Sequence, residues 1–433
     1  MTPVVRPSGR PGSDASPALF AATCALVLLI SNNVIVASPG GATLYLGEAL
    51  TWMIFLPGFL FPFLLLRNDP LSEGLRHAPE FAAYIGVVTL VALLAMGLEG
   101  TNATAGKVKN ILPAFLLACL IVFTVRTDRR LQLLVWCMVG AAAVNAVAGL
   151  SQLVTGGPYV VAPSENNIWK EGLSGGLLER TANGLFETPN SLGVALIPGL
   201  VLGSRLTLSK GGLPVLLPRL VGGLVCLLVA AGLLASANRG ALIWAAVGVL
   251  VAFAPGRRKG WLCVSAFVTT NLVLVLAGLR SIETHSTSLD TLVVRLRLWY
   301  ATAMTFLQHP SILLFGDGEE AVRYNAATLA GWPLPSAHNT WLDQIVFFGL
   351  AGLVGYLVVW AAAIAQALRA RELAMTGLHA AMIDGLIGSL VAMAGIFVLE
   401  PRADGFFAVA QFATLCALAT TVAQRVAEGP PLR

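Results

Sequence analysis

Runs of about twenty apolar residues recur along this chain, and they are continuous rather than alternating. A helix rises about 1.5 Å per residue, so one such run matches a bilayer's hydrocarbon core of roughly 30 Å. Unbroken runs are not the alternating pattern of a two-faced strand. They point to helices, whose backbone polar groups are satisfied within the segment. Twelve runs stand out, near residues 17–37, 44–66, 79–98, 109–125, 131–154, 190–208, 218–236, 239–255, 261–279, 341–368, 378–399 and 404–424. The expected fold is an all-α polytopic membrane protein of about 12 transmembrane helices, one integral membrane domain over residues 1–433. The composition agrees: 57% of residues are hydrophobic and 11% charged, where a soluble domain has about a quarter charged.

Several function classes are disfavoured at once. Cys24, Cys119, Cys137, Cys226, Cys263 and Cys416 all sit inside apolar runs, and no two form a CxxC pair. They read as small core residues, not as a disulfide framework or a metal site. No His/Asp/Glu cluster has metal-ligand spacing, and no phosphate-binding loop or dinucleotide fingerprint occurs. No metal and no cofactor are therefore expected. The net charge of +5 is not gathered into a dense basic block, so no nucleic-acid partner is expected.

The placement of the basic residues sets an expected orientation. With the N-terminus in the cytoplasm, 17 of the 27 Lys and Arg residues fall on the cytoplasmic side. Short loops such as 256–260, which holds Arg257, Arg258 and Lys259, carry most of that signal. An even number of spans returns the C-terminus to the same side, so both termini are expected to be cytoplasmic. The first apolar run lacks a small-residue cleavage pattern and reads as a retained span.

Two outward loops are too long to be plain connectors: residues 155–189, and residues 280–339 between spans nine and ten. In the second, Leu289, Leu292, Val293, Leu296, Trp299, Tyr300 and Leu307 recur at helical spacing. That predicts an amphipathic helix lying over the membrane mouth.

The outward side also holds the residues suited to chemistry. Arg239 sits in Ser236-Ala237-Asn238-Arg239-Gly240, a connection of a few residues between two spans. A cation there either faces an anion in a wet cavity or snorkels to lipid phosphate. Arginine is a planar, permanently charged fork that suits a diphosphate, whose leaving oxygen gains charge as a bond to it breaks. His338, in Ser336-Ala337-His338-Asn339-Thr340, stands at the mouth of a span. An imidazole there suits a general base; the alternative is a residue next to a helix cap. His379 and Asp384 share one span near its other end and read as a polar contact with each other. Gly316-Asp317-Gly318-Glu319-Glu320 reads as a tight turn followed by a helix start.

These segments resemble the O-antigen ligase and polymerase superfamily. Arg180-Thr181-Ala182-Asn183-Gly184-Leu185-Phe186-Glu187-Thr188-Pro189-Asn190 is similar to its R-x-x-G-x-F-x-x-P-N stretch, with the glycine one position late. Residues 236–240 resemble its S-x-S-R-G signature, with Asn238 in place of the second serine. Arg295 to Trp299, followed by Pro310 and by Leu314-Phe315-Gly316-Asp317-Gly318, resembles its R-x-x-x-W … P-x-x-G-x-G loop. His338-Asn339 with Leu342, then Gly349-Leu350-Ala351-Gly352, resembles H-N-x-x-L … G-x-x-G. The four segments occur in the family's order and cover about residues 180–355.

The resemblance implies a GT-C-like helical fold in the bacterial inner membrane, with the active site at the periplasmic face. It implies a glycosyltransferase that moves a glycan from undecaprenyl diphosphate to a lipid A core sugar, without a metal. Carried onto this chain, Arg180, Arg239 and Arg295 would hold the diphosphate and His338 would activate the acceptor hydroxyl. Asn190, Arg297, Arg323 and Asn339 are supporting candidates. Arg295 and Arg297, two residues apart on a helix, point to nearly opposite sides, and the Trp299 spacing favours Arg295. A polymerase of the same superfamily is the first alternative and a protein O-oligosaccharyltransferase the second. The short tail after about residue 424 disfavours the latter. A lipid-linked glycan flippase is a further alternative, disfavoured by the few mid-span charges and the long outer loop.

Overall fold

The computed structural model describes residues 17–30, 35–37, 44–45, 49–51, 53, 78–99, 103–155, 182–186, 188–208, 216–284, 290–331, 334, 336–373, 377–400 and 406–428. It is helical almost throughout. In chain order the helices are α1 (Pro17–Ile30), α2 (Pro79–Glu99), α3 (Ala103–Thr124), α4 (Asp128–Thr155), α5 (Pro189–Leu208), α6 (Leu216–Ala235) and α7 (Arg239–Phe253). Then follow α8 (Lys259–Thr284), α9 (Asp290–Gln308), α10 (Ile312–Phe315), α11 (Glu319–Asn325), α12 (Thr340–Leu373), α13 (Gly377–Leu399) and α14 (Phe406–Glu428). Six of them are long and apolar enough to cross a membrane, and five further apolar helices are shorter. The chain is thus a multi-pass helical membrane protein.

The first expected span needs correcting. Helix α1 stops at Ile30, and Ile35–Ala37 instead pairs antiparallel with Leu44–Tyr45 in a short ribbon. Residues 31–34 lie outside the described residues. Most of the expected second span, 44–66, lies outside the described residues.

Helix α13 is the hub. It packs on α5, α7, α12 and α14, and nearly all of it is enclosed. Its sequence is apolar on every side, which suits a helix with no outward face. Glycines set how closely its neighbours approach. A Cβ at Gly388 would run into the carbonyl of Gly248 on α7, and one at Gly395 would run into the Trp244 ring. Such small-residue contacts replace the hydrophobic drive that lipid does not supply. Helix α8 is the opposite case. Trp261, Val264, Val268, Leu272 and Leu276 are all exposed on it, as a lipid-facing helix requires.

Helix α12 is broken. Gly349 has φ 66 and ψ −172, a conformation open essentially to glycine alone. The break frees carbonyls in the preceding turn. The N–H of Gly318 bonds Val346 O at 2.8 Å, and that of Asp317 reaches Phe347 O at 3.4 Å. The loop between α10 and α11 is therefore welded to the middle of a long apolar helix. Gly316, at φ 71, lies against the Phe347 carbonyl with no room for a side chain. Lys107 of α3 reinforces the joint, 3.6 Å from Glu319 and 4.7 Å from the centre of the Phe347 ring.

The helix expected in the outer loop is α9, with a different buried face. Leu292 and Leu298 point inward with Thr302 and Thr305, whereas Tyr300 and Leu307 are exposed. The reason is its partner. Leu298 packs on Ala326 and Ala330 of the π-helical turn after α11, and Asn325 donates to Thr305 Oγ1 at 2.9 Å. A polar inward stripe is matched there by a polar neighbour.

Gly349→Ala tests the break. The added Cβ would lie 2.6 Å from Leu314 O, on a backbone already costing about 1–3 kcal/mol for any L-residue. The thermal midpoint in detergent should fall by several degrees, and an unchanged midpoint would show that the break is dispensable.

Candidate active site

Four segments far apart in the sequence meet at one end of the bundle. The first is the turn before α5. Gln152, buried on α4, accepts the N–H groups of Asn183 and Gly184 at 3.1 and 2.8 Å and donates to Gly184 O at 2.7 Å. Gly184 has φ 59 and abuts Leu192 and Asn145, so glycine is needed. The N–H of Ala182 bonds Ala235 O at 2.9 Å, which ties this turn to the end of α6. Arg180 itself lies outside the described residues.

The second segment is the connection from α6 to α7. Asn238 caps α7: its Oδ1 accepts the N–H of Ala241 at 3.0 Å, and its Nδ2 donates to Asn190 O at 3.3 Å. Asparagine and serine are both strong N-caps, so Asn238 performs here the capping that a serine would. Asn190 enters the site through its backbone carbonyl and the first turn of α5. Arg239 is the first residue of α7 and is exposed. Gly240 beside it packs against Ile396 and Leu399 of α13.

The third segment is the end of α13. Glu400 is buried, 1% exposed, and a lone carboxylate there would be costly. Arg295 of α9 answers it, Nη2 to Oε1 at 2.9 Å. The Glu400 carbonyl accepts the hydroxyl of Thr340 at 2.7 Å. Arg295 thus faces the bundle, while Arg297 is exposed on the other side of α9.

The fourth segment leads into α12. Asn339 caps that helix, its Oδ1 accepting from Trp341 and Leu342 at 3.0 and 3.2 Å. His338 precedes the cap and is half-buried. Its φ is +52, a left-handed value uncommon outside glycine. Asp343, fully buried, fixes this loop by accepting the Ser336 hydroxyl and the Ala337 N–H, each at 2.8 Å. Ser336 Oγ in turn accepts the N–H of His338 at 3.0 Å. Trp341 Nε1 donates to Ala394 O at 3.1 Å, joining the segment to α13.

Backbone strain marks two of these segments and the nearby loop between α10 and α11. Among the described residues, the non-glycine positions with positive φ are Ala237, Asp317 and His338. All three fall in the segments that carry the resemblance. Such conformations cost on the order of 1–3 kcal/mol each and persist where the surroundings over-determine them.

Arg323 stands apart. Its ion pairs are with Glu319 and Glu320 of its own helix, at 3.7 and 3.2 Å, and exposed pairs of this kind contribute little. The expected contact between His379 and Asp384 is not formed. His379 lies 3.3 Å from Asp128, as Arg425 lies 3.5 Å from the same oxygen. Asp384 instead meets Arg205 at 2.7 Å, Arg371 at 2.8 Å and Lys259 at 2.9 Å. Two guanidinium groups and an amine on three other helices are stronger partners for a buried carboxylate than a histidine more than one turn away on its own helix.

Gln152, Asp343 and Glu400 were not singled out in the sequence. Glu400 had a signal, as an acid closing a long apolar run just before Pro401. Gln152 and Asp343 act on loops that only the folded chain places. Chemically, the site offers the Arg295 guanidinium held by Glu400, the exposed Arg239 and the His338 imidazole on left-handed backbone. Among the described residues no group of three or more His, Cys, Asp or Glu is placed to hold a metal ion.

Glu400→Ala would leave Arg295, 17% exposed, facing the bundle without its acid, at a cost of about 3 kcal/mol. Glu400→Gln, which keeps an acceptor, should cost less; equal unfolding midpoints for both variants and wild type would remove the ion pair from the account. No family model matches this chain, and no curated protein matches its sequence.

Proposed function

We propose that this protein is an inner-membrane glycosyltransferase of the O-antigen ligase type, transferring a glycan from undecaprenyl diphosphate to a lipid A core sugar at the periplasmic face. The reading includes a GT-C-like fold of about 12 spans with both termini cytoplasmic. The observation that carries it is the meeting of the Arg239, Arg295 and His338 segments at one end of α13, on backbone held in costly conformations.

In this reading His338 takes the proton from the acceptor hydroxyl. The oxygen attacks the anomeric carbon of the donor sugar as that carbon's bond to phosphate oxygen breaks. The electron pair leaves on the lipid diphosphate, where Arg239, Arg295 and Arg180 offset the growing charge. Glu400 orients Arg295 through one terminal nitrogen, and the rest of the guanidinium fork can face the phosphate. The left-handed backbone at His338 aims the imidazole independently of the helix that follows. Preorganised cations matter most because they need no rearrangement as charge develops.

The test uses purified protein in detergent with a polyprenyl diphosphate-linked glycan, a core lipid acceptor and EDTA. Wild type should turn over. His338→Asn should lose about 10²–10⁴-fold in rate while still binding donor, as expected for a lost general base. Asparagine is chosen because it tolerates the left-handed backbone, so a loss reports the imidazole and not the fold. Arg239→Lys should also be slow, since an ammonium cannot make the two-pronged contact. Full activity in the His338 variant would end this assignment, and full activity in the Arg239 variant would reduce that residue to a lipid contact.

A further inference from the structure

The other end of α13 carries a charge imbalance that the transfer reaction does not use. Asp384 is buried, and its two oxygens meet three cations: Arg205 on α5, Lys259 on α8 and Arg371 on α12. Lys259 is fully buried, and its ammonium also bonds the carbonyls of Val251 and Ala252 at the end of α7. Arg205 Nε is buried without a hydrogen-bond partner. Among the described residues, one carboxylate therefore faces two guanidinium groups and the Lys259 amine, so positive charge is in excess here. Arg258 adds a further cation in the short turn before α8, and Glu372 offsets one.

A groove opens beside this cluster, between α8 and α12. It encloses about 410 Å3 and is lined by Gly256, Gly260, Trp261, Val264, Leu368 and Glu372. A Cβ on Gly256 would stand 4.0 Å from the Arg371 guanidinium carbon, so the groove's polar end, which also bears Glu372, reaches the edge of the cation cluster. Its other wall is apolar and continues onto the exposed face of α8, where Trp261 is 82% exposed. Tryptophan at this position marks the headgroup level of a bilayer.

We infer that this groove is a binding site for one anionic phospholipid, with its phosphodiester at Arg371 and the Asp384 cluster and an acyl chain along Trp261, Val264 and Leu368. Charge complementarity selects the class of lipid. A zwitterionic headgroup brings a cation of its own and does not relieve the excess, whereas phosphatidylglycerol or cardiolipin does. Basic pockets between helices bind such headgroups. The apolar wall selects a lipid over a soluble phosphate. The inference rests on the membrane reading alone and holds whether or not the chain transfers glycans.

The experiment is native mass spectrometry of the full-length protein in neutral detergent, titrated in parallel with phosphatidylglycerol and phosphatidylcholine of the same acyl chains. Wild type should retain phosphatidylglycerol in clear excess. Arg371→Gln leaves Arg205 and Lys259 on Asp384 and should lower that retention about fivefold, the weight of one basic residue near a headgroup. Gly260→Leu fills the groove without touching a charge and should lower retention of both lipids, so it carries the test if the first variant does not fold. Equal retention of the two lipids by wild type, or undiminished phosphatidylglycerol retention in a folded variant of either kind, overturns the inference.

Discussion

Two buried carboxylates at opposite ends of one enclosed helix hold this molecule together. Glu400 follows the last residue of α13 and Asp384 lies two turns in from its start, each 1% exposed, and neither can keep a charge there without partners. Glu400 draws in Arg295 from α9, and its carbonyl takes the hydroxyl of Thr340 at the start of α12. Asp384 draws in α5, α8 and the far end of α12. Apolar helices in lipid have little reason to choose one neighbour over another. Ion pairs that are costly to leave unmade supply that choice, and the glycines of α7 and α13 then set how near the helices come.

The same pattern explains the glycines and polar residues of the segments that resemble the O-antigen ligase superfamily. Gly349 breaks α12, and the freed carbonyls take the backbone of Gly318 and Asp317. Asn238 and Asn339 are helix caps. Asp343 fixes the loop that bears His338. Much of each segment is scaffold, and Arg295 itself is held by Glu400. Strain at Ala237 and His338 belongs with that scaffold, because it persists only where buried hydrogen bonds over-determine the backbone.

Some of this was legible in the chain. Continuous apolar runs located most of the long helices, since a helix that must satisfy its own backbone in lipid has a fixed minimum length. The opposed directions of Arg295 and Arg297 followed from helical geometry alone. The sequence misjudged residues 35–37, which form a strand of a short ribbon rather than the end of a span. It also paired His379 with Asp384 because they share a helix, whereas each found a partner on another.

Length, apolar periodicity and local capping are properties of contiguous residues, so the amino-acid sequence by itself determined the helical membrane class, the approximate extent of most long helices and the places where helices start. Tertiary structure alone decided which acid meets which base, which face of α9 is buried and that α12 is broken beneath the loop between α10 and α11. Those depend on desolvation and on close approach between segments tens to hundreds of residues apart, and both arise only when the helices pack.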